Sequence, residues 1–168
     1  TPPHNLGEII NAEKLLMEFP NATTADLLDI IEGPDFPTGG IVTNKDELLS
    51  IYETGRGKIR IRGKAEIVRG KRKSDRDKIV ITEIPYTMVG ANIGKFLSDV
   101  AALAESRKLP DIVDISNQSS KEGIRIEIEL KKGADAERIL AGLYKKTKLE
   151  DTFGVNMLAV AELSLIHI

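Results

Sequence analysis

Residues 55–86, GRGKIRIRGKAEIVRGKRKSDRDKIVITEIPY, decide how the rest of the chain is read. From Lys58 to Ile67 the residues alternate, with Lys58, Arg60, Arg62 and Lys64 on one side and Ile59, Ile61, Ala65 and Ile67 on the other, the period of a strand with one buried face. Gly70 and the polar run Lys71 to Asp77 interrupt the pattern. It resumes at Lys78 to Ile84 and stops at Pro85, which cannot donate to a ladder. The expectation is a long, basic β-hairpin: a strand, a loop and a returning strand.

Charge is concentrated in the same stretch. Arg56 to Lys78 carries eleven Lys and Arg against Glu66, Asp75 and Asp77, a net of +8 in a chain whose total is −2, leaving −10 elsewhere. Two functions suit such a stretch. Lys and Arg on a rigid strand supply sequence-tolerant phosphate contacts; they also serve as a solvated face that blocks edge-to-edge pairing.

Working outward, Leu6, Ile9, Ile10, Leu16 and Met17 recur at helical spacing until Pro20, and Thr23 to Asp26 has capping-box spacing ahead of a short apolar stripe ending at Gly33-Pro34. Ile41-Val42 reads as a brief strand, and Asn44 with Glu47 as the cap of a helix running to about Thr54. Beyond Tyr86, the apolar positions Ile93, Phe96, Leu97, Val100 and Leu103 predict a helix to about Lys108, with Arg107 and Lys108 at the negative end of its dipole. Ile112 to Ser116 and Ile124 to Leu130 follow as strands, the second with Arg125, Glu127 and Glu129 on its outer face. A helix around Ala136 to Leu143 and a closing strand from Phe153 to Leu163 complete an α+β chain with an antiparallel sheet and flanking helices.

The 168 residues suffice for one domain, or a compact domain with an extension. There is no Cys for disulfide or thiolate chemistry, and no apolar run approaches the roughly 18 residues that span a bilayer, so the expected setting is cytoplasmic. The chain starts at Thr1 without an initiator Met, and is expected to be cut from something longer. His4 and His167 stand at opposite ends with no metal-ligand spacing. Gly39-Gly40 and Gly55-Arg56-Gly57 lack the lysine and hydroxyl of a P-loop, and Tyr52, Tyr86 and Tyr144 sit in or beside apolar segments where packing, with the hydroxyl reaching a partner, is expected.

Several stretches resemble the A subunit of bacterial type IIA DNA topoisomerases, DNA gyrase and topoisomerase IV. They are Pro2-Pro3-His4-Asn5-Leu6, Gly33-Pro34-Asp35-Phe36-Pro37-Thr38-Gly39-Gly40, Tyr52-Glu53-Thr54-Gly55-Arg56-Gly57 and Thr82-Glu83-Ile84-Pro85-Tyr86. The likeness continues in Glu122 to Ile126, Glu129-Leu130-Lys131, Leu143-Tyr144-Lys145 and Phe153 to Ala159, so it covers about residues 2 to 160. It implies a tower domain over residues 21–160, entered by a connector helix over 1–20 that follows a winged-helix domain.

By the same likeness, the parent is an ATP-dependent isomerase that passes one duplex through another, and the tower helps hold and bend the gate duplex. Its partners would be double-stranded DNA, a second copy of the same polypeptide and the topoisomerase B subunit, with magnesium and ATP handled through the latter. The attacking tyrosine lies upstream, so this chain alone is expected to hold no catalytic residue and no metal. The expected DNA-binding residues are Arg56, Lys58, Arg60, Arg62 and Lys64. The alternative is a structural or protein-interaction domain without direct DNA contact. Two departures stand out: Thr1 replaces the usual isoleucine that wedges between base pairs, and 161–168 is a tail unlike the family. General likeness leans towards topoisomerase IV, although the region that separates it from gyrase is absent.

Overall fold

The computed structural model describes residues 1–161 and the backbone of 164–167. It contains helices α1 (Leu6–Glu18), α2 (Thr24–Leu28), α3 (Leu48–Thr54), α4 (Ala91–Glu105) and α5 (Ala136–Lys146). The strands are β1 (Ile41–Val42), β2 (Arg56–Arg62), β3 (Lys64–Val68), β4 (Lys78–Glu83), β5 (Ile112–Asn117), β6 (Ile126–Leu130), β7 (Glu150–Asn156), β8 (Leu158–Ala161) and β9 (Ser164–His167). Helices with antiparallel sheets make this the α+β class read from the sequence.

The chain divides into two compact units that interleave along the sequence: one holds 1–37, 42–60 and 152–168, the other 38–41 and 61–151. In the second unit the order β3-β4-β6-β5 forms a four-stranded antiparallel sheet. Its register sets Ile79 opposite Ile128 and Ile81 opposite Ile126. Those four side chains, together with Phe96 and Val100 of α4 and Ile139 and Leu143 of α5, belong to one buried cluster. Both helices therefore cover the same sheet face, and each fully buried Ile or Leu contributes about 1.5–3 kcal/mol relative to exposure. The other face carries Lys78, Glu127 and Glu129, as alternation on β4 and β6 requires.

In the first unit, α1 begins where the Asn5 side chain accepts from the Glu8 backbone N–H. Helix α2 begins with the complete Thr23/Asp26 capping box. Phe36 and Phe153 meet edge-to-face at 5.1 Å. Gly57 has φ +153, and a Cβ there would stand 2.6 Å from Ile51, so the entry into β2 requires glycine.

The structure corrects several expectations. The continuous strand Lys58–Ile67 is two strands, β2 and β3, which belong to different sheets and are separated at Gly63. Only the β3–β4 part is a hairpin, pairing Ala65 with Ile81 and Val68 with Lys78. Residues Phe153 to Leu163 likewise split into β7 and β8 around Met157, and Leu163 lies outside the described residues. Helix α4 ends at Glu105, and Arg107 takes a left-handed φ of 61°, so Arg107 and Lys108 lie beyond the last turn. Asn44 makes no capping bond, because its buried amide is bonded to β2 instead.

Candidate nucleic-acid interface

Strand β2 presents its cations as the alternation predicts. Ile59 and Ile61 are buried, whereas Arg56, Lys58 and Arg60 are exposed and Arg62 is intermediate. Within the first unit the backbone around Lys58 and Arg60 is held by Asn44, whose Nδ2 donates to the Lys58 carbonyl at 2.9 Å and whose Oδ1 accepts from the Arg60 N–H at 2.8 Å. The second Nδ2 hydrogen bond goes to Glu47 at 2.8 Å. Asn44 is thus a fully satisfied polar group in a buried place, bonded to strand backbone as a neighbouring strand would be. The Arg60 guanidinium lies 3.9 Å from Glu47 with both side chains about half exposed, a weak, screened pair.

Arg62 and Lys64 belong to the second unit. Arg62 donates from Nε and Nη2 to Glu150 Oε2 at 3.0 and 2.8 Å, and its guanidinium stacks 4.6 Å from the Tyr144 ring centroid. Lys64 is exposed on β3 opposite Glu83. Among the described residues, the side chains of Lys58, Lys64, Lys71, Arg72 and Lys73 make no ion pair with a carboxylate, whereas other cations of the basic stretch do; the Arg72 backbone N–H donates to Asp75 at 3.0 Å. Arg69 pairs with Asp77 at 2.9 Å and also with Glu137. Arg76 pairs with Glu129 at 3.3 Å, and Lys78 with Glu127 at 3.5 Å. Arg125 adds a 2.8 Å contact to Glu127.

These pairs leave an electrostatic imprint. The backbone N–H of Gly70 and then the Arg69 guanidinium hold the Asp77 carboxyl below the usual carboxylate range, while Arg69 is raised chiefly by Asp77. Glu127 is lowered first by its hydrogen bond from Arg125 and then by the charge of Lys78. Around them an open groove of about 560 Å³ runs over Val68 and Val80 between these charged side chains.

The tyrosines are structural where their partners are seen. Tyr52 is hydrogen-bonded to His4 Nε2 at 2.5 Å, and burial, helped by the charge of Glu8, pushes its hydroxyl up to about 12. His4 Nδ1 lies 2.9 Å from the Pro2 carbonyl; an N–H there donates to it and leaves Nε2 to accept from Tyr52. Tyr144 donates to the Gly63 carbonyl at 2.7 Å. Among the described residues no group of three His, Cys, Asp or Glu comes together that could hold a metal ion. No helix among them is long and apolar enough to cross a membrane.

The Tyr144 hydroxyl reaches a partner as expected, the Gly63 carbonyl 81 residues away, a partner the sequence did not name; the role of Asn44 was missed, because its amide serves the backbone of β2 rather than a helix cap. One signal was available: a glycine inside an alternating strand marks a bulge or a close backbone approach.

Fold and surface together define an α+β module that holds a basic strand outward over a buried apolar face. The profile of the DNA gyrase/topoisomerase IV A-subunit family matches residues 1–164. The chain belongs to that family. It is 45% identical over 161 residues to the DNA gyrase A subunit of Clostridium acetobutylicum, covering 96% of this chain and 19% of the relative. It is 43% identical over 159 residues to that of Chlamydia pneumoniae, covering 95% and 19%. A probable chloroplastic/mitochondrial DNA gyrase A subunit of Oryza sativa is 41% identical over 161 residues, covering 96% and 17%. The chain spans about a fifth of the length of the curated relatives it matches.

Proposed function

We propose that the chain is the tower part of the A subunit of an ATP-dependent type II DNA topoisomerase, and that it helps hold and bend the gate duplex by gripping its phosphate backbone. The observation that carries this is β2: Lys58 and Arg60 project outward while Ile59 is fully buried, so the cations are set on a rigid element at little ordering cost. Arg56 on the same strand and Lys64 on β3 extend the set of exposed cations, each within its own unit. Partners on this view are duplex DNA, a second copy of the same polypeptide and the topoisomerase B subunit, in the cytoplasm, with magnesium and ATP acting through the latter. The chain alone neither cleaves nor relaxes DNA, in keeping with a Tyr52 hydroxyl that is bonded to His4 and hard to ionise.

A structural or protein-interaction role is favoured by one observation, the internal neutralisation of Arg69, Arg76 and Lys78 by acids of the same unit. Titration of the chain with a random-sequence duplex over a range of salt separates the two. Phosphate gripping by three or four cations gives a log K against log salt slope of about −3 to −4 and a dissociation constant of about 10⁻⁴ to 10⁻⁶ M at physiological salt. Absence of binding at low salt supports the structural role.

A further inference from the structure

Arg62 continues the alternation of Lys58 and Arg60, yet its surroundings differ from theirs. Its Nε and Nη2 both donate to Glu150, and its guanidinium lies over the Tyr144 ring. The next residue, Gly63, is held at both polar groups: its N–H donates to the Leu149 carbonyl at 2.8 Å, and its own carbonyl accepts from the Tyr144 hydroxyl at 2.7 Å. Residues 62–63 are therefore cross-linked to 149–150 in register, by backbone at one step and by side chain at the next. There is no room for a larger residue. A Cβ on Gly63 would stand 2.6 Å from Leu149 Cδ1 and 2.8 Å from the Glu83 carbonyl oxygen. Burial raises the Tyr144 hydroxyl, with Arg62 lowering it and Glu150 raising it, so the phenol stays protonated and remains a donor at neutral pH.

We propose that Arg62 is a positioning residue and makes no phosphate contact: with Glu150 and Tyr144 it locks the backbone at Gly63, from which β3 and Lys64 depart. This refines the DNA contact proposed above and rests on it for its binding consequence, while the lock stands on the geometry alone. The Arg62–Glu150 pair is partly exposed, 43% and 25%, and a pair of that kind holds little by itself in water. The side chain must fork onto a carboxylate and stack on a ring at once, which a planar guanidinium does and an ammonium does not. Arg62→Lys is therefore the informative substitution, because a phosphate contact tolerates it and the lock does not.

The experiment combines amide hydrogen exchange with duplex titration on the whole chain. The lock predicts that Arg62→Lys and Arg62→Gln both lower protection of the Gly63 amide at least tenfold while protection at Ile128 is kept, and that Arg62→Gln leaves the salt slope at the wild-type value. Wild-type protection of Gly63 in Arg62→Lys, or an Arg62→Gln slope flatter by about one, overturns it. If the wild-type chain binds no duplex, the proposed DNA contact fails and the exchange result alone decides the lock.

Discussion

The basic cations of β2 and those flanking the β3–β4 loop look alike in the sequence and differ in the fold. Around the loop, Arg69, Arg76 and Lys78 each meet a carboxylate, and three of those carboxylates, Glu127, Glu129 and Glu137, come from β6 and α5, some fifty to seventy residues away. On β2, among the described residues, Lys58 has no acidic partner and Arg60 has only a distant one. A net of +8 counted along the chain therefore overstates what an anion meets at Arg69, Arg76 and Lys78, whereas Lys58 and the loop-tip side chains of Lys71, Arg72 and Lys73 are not neutralised in this way among the described residues. Charge density in sequence locates candidates; pairing across the sheet decides which of them remain available.

The largest test of this contrast concerns the alternation that puts charge on one side. Ile126 is fully buried and its neighbour Glu127 faces outward, so Ile126→Ala is expected to cost about 2–5 kcal/mol in denaturant unfolding. A loss under about 1 kcal/mol would mean that the register of β6 is wrong.

Next comes the support of β2. Asn44→Ala leaves the Arg60 N–H and the Lys58 carbonyl without the amide that satisfies them, which is expected to cost about 1–3 kcal/mol. A change within experimental error would show that solvent replaces the side chain there.

The smallest effect is at the surface pairs of Asp77 and Glu127. Asp77 and Glu127 have folded-state pKa values depressed below their unfolded ones, so their contribution is present above the ordinary carboxylate value of about 4 and is lost as pH falls through the lower, folded value. The cationic partners, Arg69, Lys78 and Arg125, are about half exposed, and pairs at a surface of this kind contribute little in water although the carboxylates themselves are partly covered. Acid unfolding of the Glu127→Gln variant should thus be slightly less steep with pH than wild type; a steeper dependence contradicts the pairing.

Much of the fold was legible because it is local. The Thr23 capping box, the helix ended by Pro20 and the β6 alternation each follow from residues within a turn or a strand of one another. The break at Gly63 was not, because Lys64 keeps the outward parity of Lys58 and Arg60 across it, and alternation alone cannot distinguish one long strand from two in different sheets. Asn44 had the spacing of a cap but found partners on β2, sixteen residues on at Arg60. Of the five expected contact residues, the exposure of Arg56, Lys58 and Arg60 was readable from period two, whereas the attachment of Arg62 to Glu150 depends on a partner 88 residues away.

The central claim is that β2, and not the loop-flanking cations, meets the duplex. It is tested by comparing the salt dependence of duplex binding for Lys58→Gln/Arg60→Gln with that for Arg76→Gln/Lys78→Gln. The account predicts a slope flatter by about two for the first pair and an unchanged slope for the second. A flattened slope for the second pair with an unchanged one for the first would contradict it.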